Sequence, residues 1–324
     1  MSGSVSSLYN PFFSHIYVEA AAYSYPLTGA VLAQFKNATV VPITHYKDVF
    51  NRPGSDFLAQ KKSPKLILAV RRDKFLFPGA AVCDHFGHER FFYATQMMNC
   101  PYDCAYCYLR GMYPSAHIVA FVNTADYFNA AAAAQPAYIS ISYDADLLAM
   151  EGVFHFAAAW IELAAAHPAL TVELRTKSAA DIRRIAEKPA DNVILSWTLS
   201  PAEDAARFEK SAPGLQNRLA AMKKAMDDGW KVRLCVDPIM LTEGWEERVS
   251  GMAEVIRSTI EVEKLYDVSV NGFRVSKTYY KRMRKMDPGS AVFALPIAEK
   301  DGVCAYIAED ERRIKAFVTE RLGV

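Results

Sequence analysis

From Phe91 onward, apolar runs of strand length alternate with amphipathic runs of helix length. Strands are predicted at Phe91–Thr95, Ala137–Tyr143, Leu170–Arg175, Asn192–Thr198, Val232–Val236 and Val268–Phe273. Helices are predicted at Thr124–Ala133, Phe154–Ala166, Ala179–Glu187, Leu215–Asp228, Trp245–Glu261 and Thr278–Arg284. This alternation is typical of parallel βα units and predicts an α/β fold built on a partial (β/α)6 barrel of the TIM type. In such barrels the chemistry lies at the carboxyl ends of the strands.

Two flanking regions do not follow this alternation. Residues 1–88 are expected to form a small N-terminal α/β extension, with strands at His15–Val18, Thr39–Ile43 and Leu66–Val70. Residues 89–287 then form the barrel core. Residues 288–324 are expected to form a C-terminal extension, in which a hairpin of Ala291–Leu295 and Cys304–Ile307 precedes a helix at Glu309–Leu322.

The composition limits the partners and the cellular compartment that we expect for the protein. The 324 residues are 52% hydrophobic and 23% charged, and the net charge of +1 gives no overall attraction to nucleic acid or anionic lipid. Met1–Asn10 lacks the basic and apolar regions of a signal peptide. The densest apolar stretch, Val153–Leu170, is interrupted by polar residues, so no membrane helix is predicted. We expect a cytoplasmic monomer with reduced thiols and no membrane partner.

Three cysteines follow the first core strand with the spacing Cys-x3-Cys-x2-Cys: Cys100, Cys104 and Cys107. Three thiolates can hold three irons of a 4Fe–4S cluster and leave the fourth iron open to a small molecule. A zinc site would require a fourth cysteine or histidine at a matching spacing. A disulfide framework would require an oxidising compartment. We therefore interpret the triplet as the ligand set of a 4Fe–4S cluster.

A second group of ligand-type residues lies upstream, in the string C-D-H-F-G-H. Cys83, His85 and His88 form either a metal site or a polar loop before the first core strand. The loop is favoured because no fourth ligand is evident. Cys235, in the apolar string V-R-L-C-V, is expected in the core.

The cysteine spacing, with an aromatic residue before the last cysteine, resembles that of radical S-adenosylmethionine (SAM) enzymes. Further strings resemble the spore photoproduct lyase family, whose members split a methylene-bridged thymine dimer in DNA. They are Y-P-L at Tyr25–Leu27, C-A-Y-C-Y-L at Cys104–Leu109, T-K at Thr176–Lys177, D-P-I-M-L-T-E-G-W-E-E at Asp237–Glu247 and R-V-S-K at Arg274–Lys277. This resemblance covers most of the chain. It implies a barrel of the radical SAM kind, with a 4Fe–4S cluster and SAM as cofactors and a 5′-deoxyadenosyl radical as their product.

The resemblance also implies roles for single residues. Tyr106 is expected to lean on the SAM adenine, or to be an aromatic plug beside the cluster. Lys177 and Ser196 match positions that hold SAM, although Lys177 is also interpretable as a surface lysine. Asp237 departs from the small residue expected at its position, and its carboxylate is expected either to accept a hydrogen bond from the SAM ribose or amino group or to cap the turn beside Pro238. Tyr108 matches a tyrosine that relays a hydrogen atom; the alternative is an ordinary packed tyrosine.

A more serious departure from the family pattern concerns the hydrogen-donor cysteine. In the lyases a cysteine just past the second core strand donates a hydrogen atom to the product radical, and the matching residue here is Tyr143. No cysteine occurs between Cys107 and Cys235. The quenching step therefore differs: either Tyr143 substitutes for the cysteine, or the substrate is a different one. The nearby Asp144 adds negative charge, which suits amines or SAM better than a phosphate backbone.

A basic stretch near the end of the core is a candidate nucleic-acid surface. Its residues are Arg274, Lys277, Lys281, Arg282, Arg284 and Lys285, with Tyr279 and Tyr280 between them. Basic side chains interleaved with aromatic rings suit phosphate contact and base stacking. The alternative is a solvated basic helix, which is common.

Three functions follow from these observations. The first is a radical SAM lyase that repairs a thymine lesion in DNA, served by an electron donor such as flavodoxin or ferredoxin. The second is a diverged radical SAM enzyme that acts on another substrate, which the absent cysteine favours. The third is a non-catalytic nucleic-acid-binding protein that keeps the cluster for structure, and the intact Y-C-Y string argues against it.

Overall fold

The computed structural model describes residues 12–79 and 83–324. The chain divides into two compact units. Unit 1 is Met1–Pro101 with Met112–Leu174, and unit 2 is Tyr102–Gly111 with Arg175–Val324. Helices and strands occur in both units, so the predicted α/β class is confirmed. The division into an extension at residues 1–88, a core at 89–287 and a second extension at 288–324 stays a prediction.

The described strands, in chain order, are numbered β1 to β17. They are β1 His15–Glu19, β2 Thr39–Ile43, β3 Leu66–Ala69, β4 Leu76–Pro78, β5 Phe91–Ala94, β6 Met97–Met98, β7 Asp103–Cys104, β8 Ile118–Phe121, β9 Ala137–Ser140, β10 Leu170–Thr176, β11 Val193–Thr198, β12 Glu209–Lys210, β13 Lys231–Ile239, β14 Asp267–Gly272, β15 Arg274–Ser276, β16 Ala298–Lys300 and β17 Val303–Ala305.

The described α-helices are numbered in the same way. They are α1 Pro26–Gln34, α2 Lys47–Phe50, α3 Phe57–Lys62, α4 Leu109–Met112, α5 Thr124–Ala133, α6 Glu151–Phe154, α7 Phe156–Ala166, α8 Ala202–Phe208, α9 Leu215–Asp227, α10 Trp245–Thr259, α11 Lys277–Met286 and α12 Ala308–Leu322. Short 3-10 helices lie at Ala20–Ser24, Leu148–Met150, Ile182–Arg184, Val262–Lys264 and Ala291–Ala294.

Unit 1 contains two sets of paired strands. In the first, β2, β1, β3 and β8 are parallel in that order, and β6 adds an antiparallel edge. In the second, β10, β9 and β5 are parallel and β4 adds an antiparallel edge. Every residue of β3 and β8 is buried, as expected of parallel strands covered on both faces. Thr95 and Tyr143 therefore follow the carboxyl ends of the neighbouring strands β5 and β9.

Unit 2 contains the parallel strands β11, β13 and β14 in that order. All of β11 is buried, including Ser196 near its middle. An antiparallel sheet of β15, β17 and β16 lies near the end of the chain, and β7 pairs with β12. Helices α10 and α12 pack together, with the rings of Trp245 and Phe317 5.2 Å apart.

One predicted helix, at Ala179–Glu187, is wrong. The structure has only the 3-10 turn at Ile182–Arg184 there. The Thr176 hydroxyl accepts from the Ser178 N–H at 2.8 Å, and the Ser178 hydroxyl accepts from the Ala180 N–H at 3.0 Å. These side chains offer the backbone partners that compete with a helix.

A second predicted helix, at Phe154–Ala166, is interrupted at its start. His155 adopts a left-handed conformation with φ of 55° between α6 and α7. The buried Glu151 carboxylate accepts from the N–H groups of Ala157 and Ala158, at 2.8 and 3.0 Å. That carboxylate caps the second helix, because the first N–H groups of a helix lack partners within it.

The C-terminal hairpin forms in a different register from the one predicted. Ala291–Ala294 is a 3-10 helix, and β16 takes the place of the first hairpin strand. The turn between β16 and β17 is Asp301 and Gly302, both at positive φ, which is the chemistry of a tight hairpin turn. The helix predicted at Glu309–Leu322 is confirmed as α12.

No single helix in residues 12–79 and 83–324 is long and apolar enough to cross a membrane. The helical stretches Leu148–Phe154 and Phe156–Ala166 meet the length and composition requirement only as a pair, bent by 98°.

Candidate active site

The cysteine triplet lies on an irregular stretch of chain, as predicted. Cys104 ends β7, and its carbonyl accepts from the Cys107 N–H at 3.2 Å. In unit 1 the Cys100 carbonyl accepts from the Lys61 ammonium at 2.5 Å. These hydrogen bonds to the carbonyls of Cys100 and Cys104 do not use the thiols.

All three thiols are free of disulfides. Burial raises the pKa of Cys104 to about 12, and the charge of Lys177 opposes that rise. Such a thiol ionises only when a cation replaces its proton, which is what iron does in a thiolate-bound cluster. Among the described residues, no group of three or more His, Cys, Asp or Glu side chains is placed to hold a single metal ion. The donor set consists of three cysteine thiols, the ligand type that iron–sulfur clusters use.

A buried charge network in unit 2 surrounds Tyr106. The Tyr106 hydroxyl donates to the carboxylate of Glu209, which also pairs with the guanidinium of Arg218. The Glu209 and Arg218 side chains are each 1% exposed. The Ser200 hydroxyl donates to the same carboxylate at 2.8 Å. The phenol ring of Tyr106 is therefore fixed at its far end by a carboxylate with several partners.

Lys177 belongs to this network. Its Nζ lies 5.5 Å from the centre of the Tyr106 ring, a cation–π distance. Burial disfavours its charge, but the charges of Glu209 and Cys104 outweigh burial and raise the pKa of Lys177. Burial would raise the pKa of Glu209, yet Lys177 and Arg218 outweigh it and lower that pKa. The lysine and the carboxylate therefore stay charged together.

Asp237, on β13, uses its carboxylate within the protein. One oxygen lies 3.2 Å from the Arg175 guanidinium, and the other lies 3.2 Å from the Arg274 guanidinium. Arg274, which the sequence placed on a nucleic-acid surface, is thus held by Asp237 and begins β15. Asp237 is predicted to bind SAM and Arg274 to bind nucleic acid, and the structure joins the two in one ion pair.

Tyr108 lies directly before α4, and its carbonyl accepts from the Gly111 N–H at 2.9 Å. Gly111 packs against the backbone of Tyr279 so closely that a Cβ would overlap it. Arg282 donates to the Gly111 carbonyl at 3.3 Å. In unit 2 the end of the cysteine loop is therefore packed against α11.

The remaining basic residues of the candidate nucleic-acid surface lie on α11. Lys277 pairs with Glu299 at 2.8 Å, and the side chains of Lys281 and Arg282 are exposed. Lys277, Lys281, Arg284 and Lys285 line a shallow cavity of about 490 Å³ with Tyr280. The helix gathers positive charge and an aromatic ring on one surface of unit 2.

Tyr143, which stands at the position of the family's donor cysteine, lies just past β9 in unit 1. The Cys83 thiol donates to its hydroxyl at 3.0 Å, and its ring stacks on Tyr93 with centroids 4.3 Å apart. Burial raises the pKa of Tyr143 well above its usual range, and Cys83 adds to that rise. No sequence motif indicated that Cys83 and Tyr143 meet.

The adjacent Asp144 is 2% exposed. It accepts from the Thr95 hydroxyl at 2.5 Å through one oxygen. Burial raises the pKa of Asp144 to about 6, against hydrogen bonds from Thr95 and Tyr113. Its second oxygen, Oδ1, has no hydrogen-bond partner among the described residues.

The upstream histidines do not gather around a metal ion in the part of the chain that the structure describes. The His88 ring packs on Tyr138 at 4.4 Å, and His85 Nδ1 accepts from the Gly87 N–H at 3.2 Å. The favoured interpretation of this string as a polar loop agrees with those contacts. Cys235 is fully buried in β13, as predicted.

Glu209 and Arg218 were missed by sequence reasoning. They lie nine positions apart and belong to no recognisable motif, so only the fold pairs them. Arg218 lies among the buried residues of the amphipathic helix α9. An arginine on the apolar face of a helix is the one sequence signal here for a buried ionic partner.

Comparisons with known proteins agree with the resemblance seen in the sequence. The family model described as spore photoproduct lyase matches residues 11–292. A curated relative, spore photoproduct lyase of Bacillus subtilis (strain 168), is 23% identical over 271 residues, which cover 80% of this chain and 78% of the relative.

Solved structures of spore photoproduct lyase share the fold. A complex with dinucleoside spore photoproduct has a TM-score of 0.80 at 20% identity, and a cysteine-to-alanine mutant has a TM-score of 0.82 at 19% identity. A double mutant with bound AdoMet and dinucleoside spore photoproduct also has a TM-score of 0.80. Each match covers 97% of this chain and 96% of the other. Because the family model spans residues 11–292, the chain belongs to the spore photoproduct lyase family.

Proposed function

We propose that this protein is a radical SAM lyase that repairs a methylene-bridged thymine lesion in DNA. Cys100, Cys104 and Cys107 would hold a 4Fe–4S cluster, and its open iron would bind SAM. The observation that carries the proposal is the set of three cysteines at family spacing in a chain whose family model spans residues 11–292. When bound, the two cofactors supply a 5′-deoxyadenosyl radical.

The residues of unit 2 would bind and orient SAM. Tyr106 offers a ring face to the adenine, and Glu209 restrains that ring through the phenol hydroxyl. Lys177 keeps a positive charge beside Cys104, which favours the thiolate over the thiol. Ser196, in β11, matches the family position that holds SAM. Asp237, held by ion pairs to two arginines, would accept a hydrogen bond from a SAM hydroxyl or ammonium group.

Two tyrosines lie at the family positions that handle hydrogen atoms. Tyr108 follows the last cluster cysteine directly and matches the family tyrosine that relays a hydrogen atom. Tyr143 occupies the position of the family's donor cysteine, and its phenol stays protonated because burial raises its pKa. The phenol of Tyr108 can give up a hydrogen atom because the ring stabilises the remaining radical.

The DNA would lie along the basic surface of unit 2. Lys277, Lys281 and Arg282 supply positive charge on α11, and Arg274 supports it from β15. Phosphate contacts of this kind position a duplex without reading its sequence. The lesion has to leave the base stack to reach the radical, as in other base-modifying enzymes.

We further infer that the parallel strands form a partial (β/α)6 barrel of the radical SAM kind. The protein would act as a cytoplasmic monomer, and a flavodoxin or ferredoxin would supply the electron. All six cysteines carry reduced thiols, which is consistent with a reducing compartment.

One observation favours a second function. No cysteine lies between Cys107 and Cys235, so the family's donor is absent from its usual place. A diverged enzyme that generates the same radical but acts on a different substrate would need no cysteine there.

Anaerobic reconstitution separates the two functions. Protein loaded with iron and sulfide is incubated with dithionite, SAM and a synthetic spore photoproduct dinucleotide. Formation of both deoxyadenosine and the repaired thymine pair is expected. Deoxyadenosine without repaired thymines would favour the diverged enzyme instead, and absence of both products from cluster-loaded protein would contradict the proposal.

A further inference from the structure

The family's hydrogen-donor cysteine is absent, yet the chain holds three cysteines outside the cluster motif. Cys235 and Cys304 are buried, whereas Cys83 is partly exposed. Cys83 is remote in sequence from the position of the absent donor. Only in the folded unit 1 does it meet Tyr143, the residue at that position.

The contact is well defined. The Cys83 thiol donates to the Tyr143 hydroxyl with Sγ and Oη 3.0 Å apart, and Tyr143 is stacked on Tyr93 at 4.3 Å. These residues come from three segments: the loop before β5, β5 itself and the turn after β9. The stacking limits rotation of the Tyr143 ring, so its hydroxyl stays where the thiol can reach it.

The surroundings also indicate that a ligand belongs here. The pair lies past the carboxyl ends of β5 and β9, the edge at which open α/β sheets bind ligands. Asp144 Oδ1 and Ser142 Oγ are buried there without a hydrogen-bond partner among the described residues. Buried polar atoms in native proteins are usually paired, and unpaired ones often mark a place for a bound group.

We propose that Cys83 is the hydrogen-atom donor that takes the place of the absent cysteine, and that Tyr143 positions its thiol. This inference rests on the proposed function. In the step, the Cys83 S–H bond breaks homolytically and a C–H bond forms on the substrate-derived carbon radical. The resulting thiyl radical returns to a thiol with one electron from the low-potential protein donor that reduces the cluster and one proton from water.

The division of roles follows from chemistry. Thiols transfer hydrogen atoms to carbon radicals readily because the S–H bond is weak. Tyr143 accepts the thiol's hydrogen bond and stays neutral because burial raises its pKa. The Tyr143 hydroxyl therefore orients the S–H group without competing for its proton.

The repair assay tests this inference when it is run in heavy water with four variants. Cys83→Ala and Cys83→Ser should still form deoxyadenosine but lose the repaired thymine pair, and the serine variant matters because it preserves size and hydrogen bonding. Cys235→Ala removes a different thiol and should keep both products. The wild-type product should carry one solvent-derived deuterium, because thiols exchange with water.

The fourth variant, Tyr143→Phe, tests positioning. It should still repair the dinucleotide but consume more SAM per repair, so the ratio of deoxyadenosine to repaired thymine rises. A purely structural role would lower both products together. If Tyr143→Phe lost repair completely while Cys83→Ala kept it, Tyr143 would be the donor and the inference would be overturned.

A footprint supplies a readout that does not depend on turnover. The intact protein is alkylated with iodoacetamide, with and without the lesion dinucleotide, and the Cys83 peptide is quantified by mass spectrometry. Slower alkylation of Cys83 in the presence of the dinucleotide is expected. Unchanged alkylation, or normal repair by Cys83→Ala, would overturn the inference while leaving the lyase function intact. Failure of the wild-type protein to repair the lesion would overturn both.

Discussion

Replacing Glu209 by Gln tests the buried charge network that holds Tyr106. The substitution keeps the size of the side chain and one acceptor oxygen, but it removes the negative charge that faces Arg218, Lys177 and the Tyr106 hydroxyl. Arg218 is then left as a buried cation without its carboxylate. The variant should therefore be less stable than the wild type, and the loss should come from charge rather than from packing.

The size of the loss can be estimated from the contacts that survive. Removing one partner of a buried ion pair costs about 3–5 kcal/mol. Arg218 keeps two neutral acceptors, the carbonyls of Pro213 at 2.5 Å and Thr198 at 3.1 Å. These acceptors satisfy part of the guanidinium, so we expect the lower end of that range, about 3 kcal/mol.

The assay is urea unfolding of the cluster-free protein, followed by tryptophan fluorescence. Trp197, Trp230 and Trp245 lie in unit 2 and make up three of the four tryptophans, so the signal reports mainly on that unit. Glu187→Gln, at an exposed position, is the matched control and should change stability by less than about 0.5 kcal/mol. An equally small change in Glu209→Gln would refute the reasoning.

The pH dependence gives a second check on the same variant. The pKa of Glu209 is lower in the folded protein than its usual value of 4.5. Its stabilising contribution is therefore present above pH 4.5 and is lost as the pH falls through the lower, folded pKa. The difference between wild type and Glu209→Gln should shrink below pH 4.5, and a difference that stays constant would contradict the assignment.

Three further predictions concern other parts of the molecule. Burial raises the pKa of Asp144 from 3.8 to about 6, so its ionisation costs the folded state up to about 3 kcal/mol as the pH rises through that range. Asp144→Asn should therefore gain stability in thermal unfolding, relative to wild type, from pH 4 to 7. A difference between the two proteins that does not change with pH would argue against this cause. Gly111→Ala should lose about 1–3 kcal/mol in urea unfolding because its Cβ would overlap the Tyr279 backbone, whereas Gly251→Ala, which meets nothing within 4 Å, should be neutral or stabilising. Lys281→Ala should weaken DNA binding in a fluorescence anisotropy titration and reduce the slope of log K against log salt concentration by about one. The control Lys223→Ala, on α9, should leave the affinity and the slope unchanged. Equal slopes for the two variants would show that α11 is not part of the DNA surface.

Local patterns predicted their elements well. Thr124–Ala133 forms the helix that its sequence indicates, and the cysteine triplet needs only its own spacing to be recognised. The helix predicted at Ala179–Glu187 is wrong, because hydroxyl groups of Thr176 and Ser178 capture the backbone N–H groups. That competition depends on rotamers, which a hydrophobic pattern does not contain.

Contacts between residues far apart in the sequence could not be predicted from local patterns. The Cys83–Tyr143 hydrogen bond joins residues 60 positions apart, and neither residue belongs to a motif that names the other. Sequence reasoning identified the absence of the family's cysteine at Tyr143 but not the thiol that the fold brings there. The same limit applies to Glu209 and Arg218, whose importance comes from burial and not from spacing.

The central claim is that three thiolates hold a cluster at which SAM is cleaved to repair a thymine lesion. The most direct test compares wild-type protein with Cys104→Ala after anaerobic loading, with SAM, dithionite and the lesion dinucleotide, by quantifying deoxyadenosine and repaired thymines together. The wild type should form both and the variant neither. Repair that persists in Cys104→Ala would contradict the account.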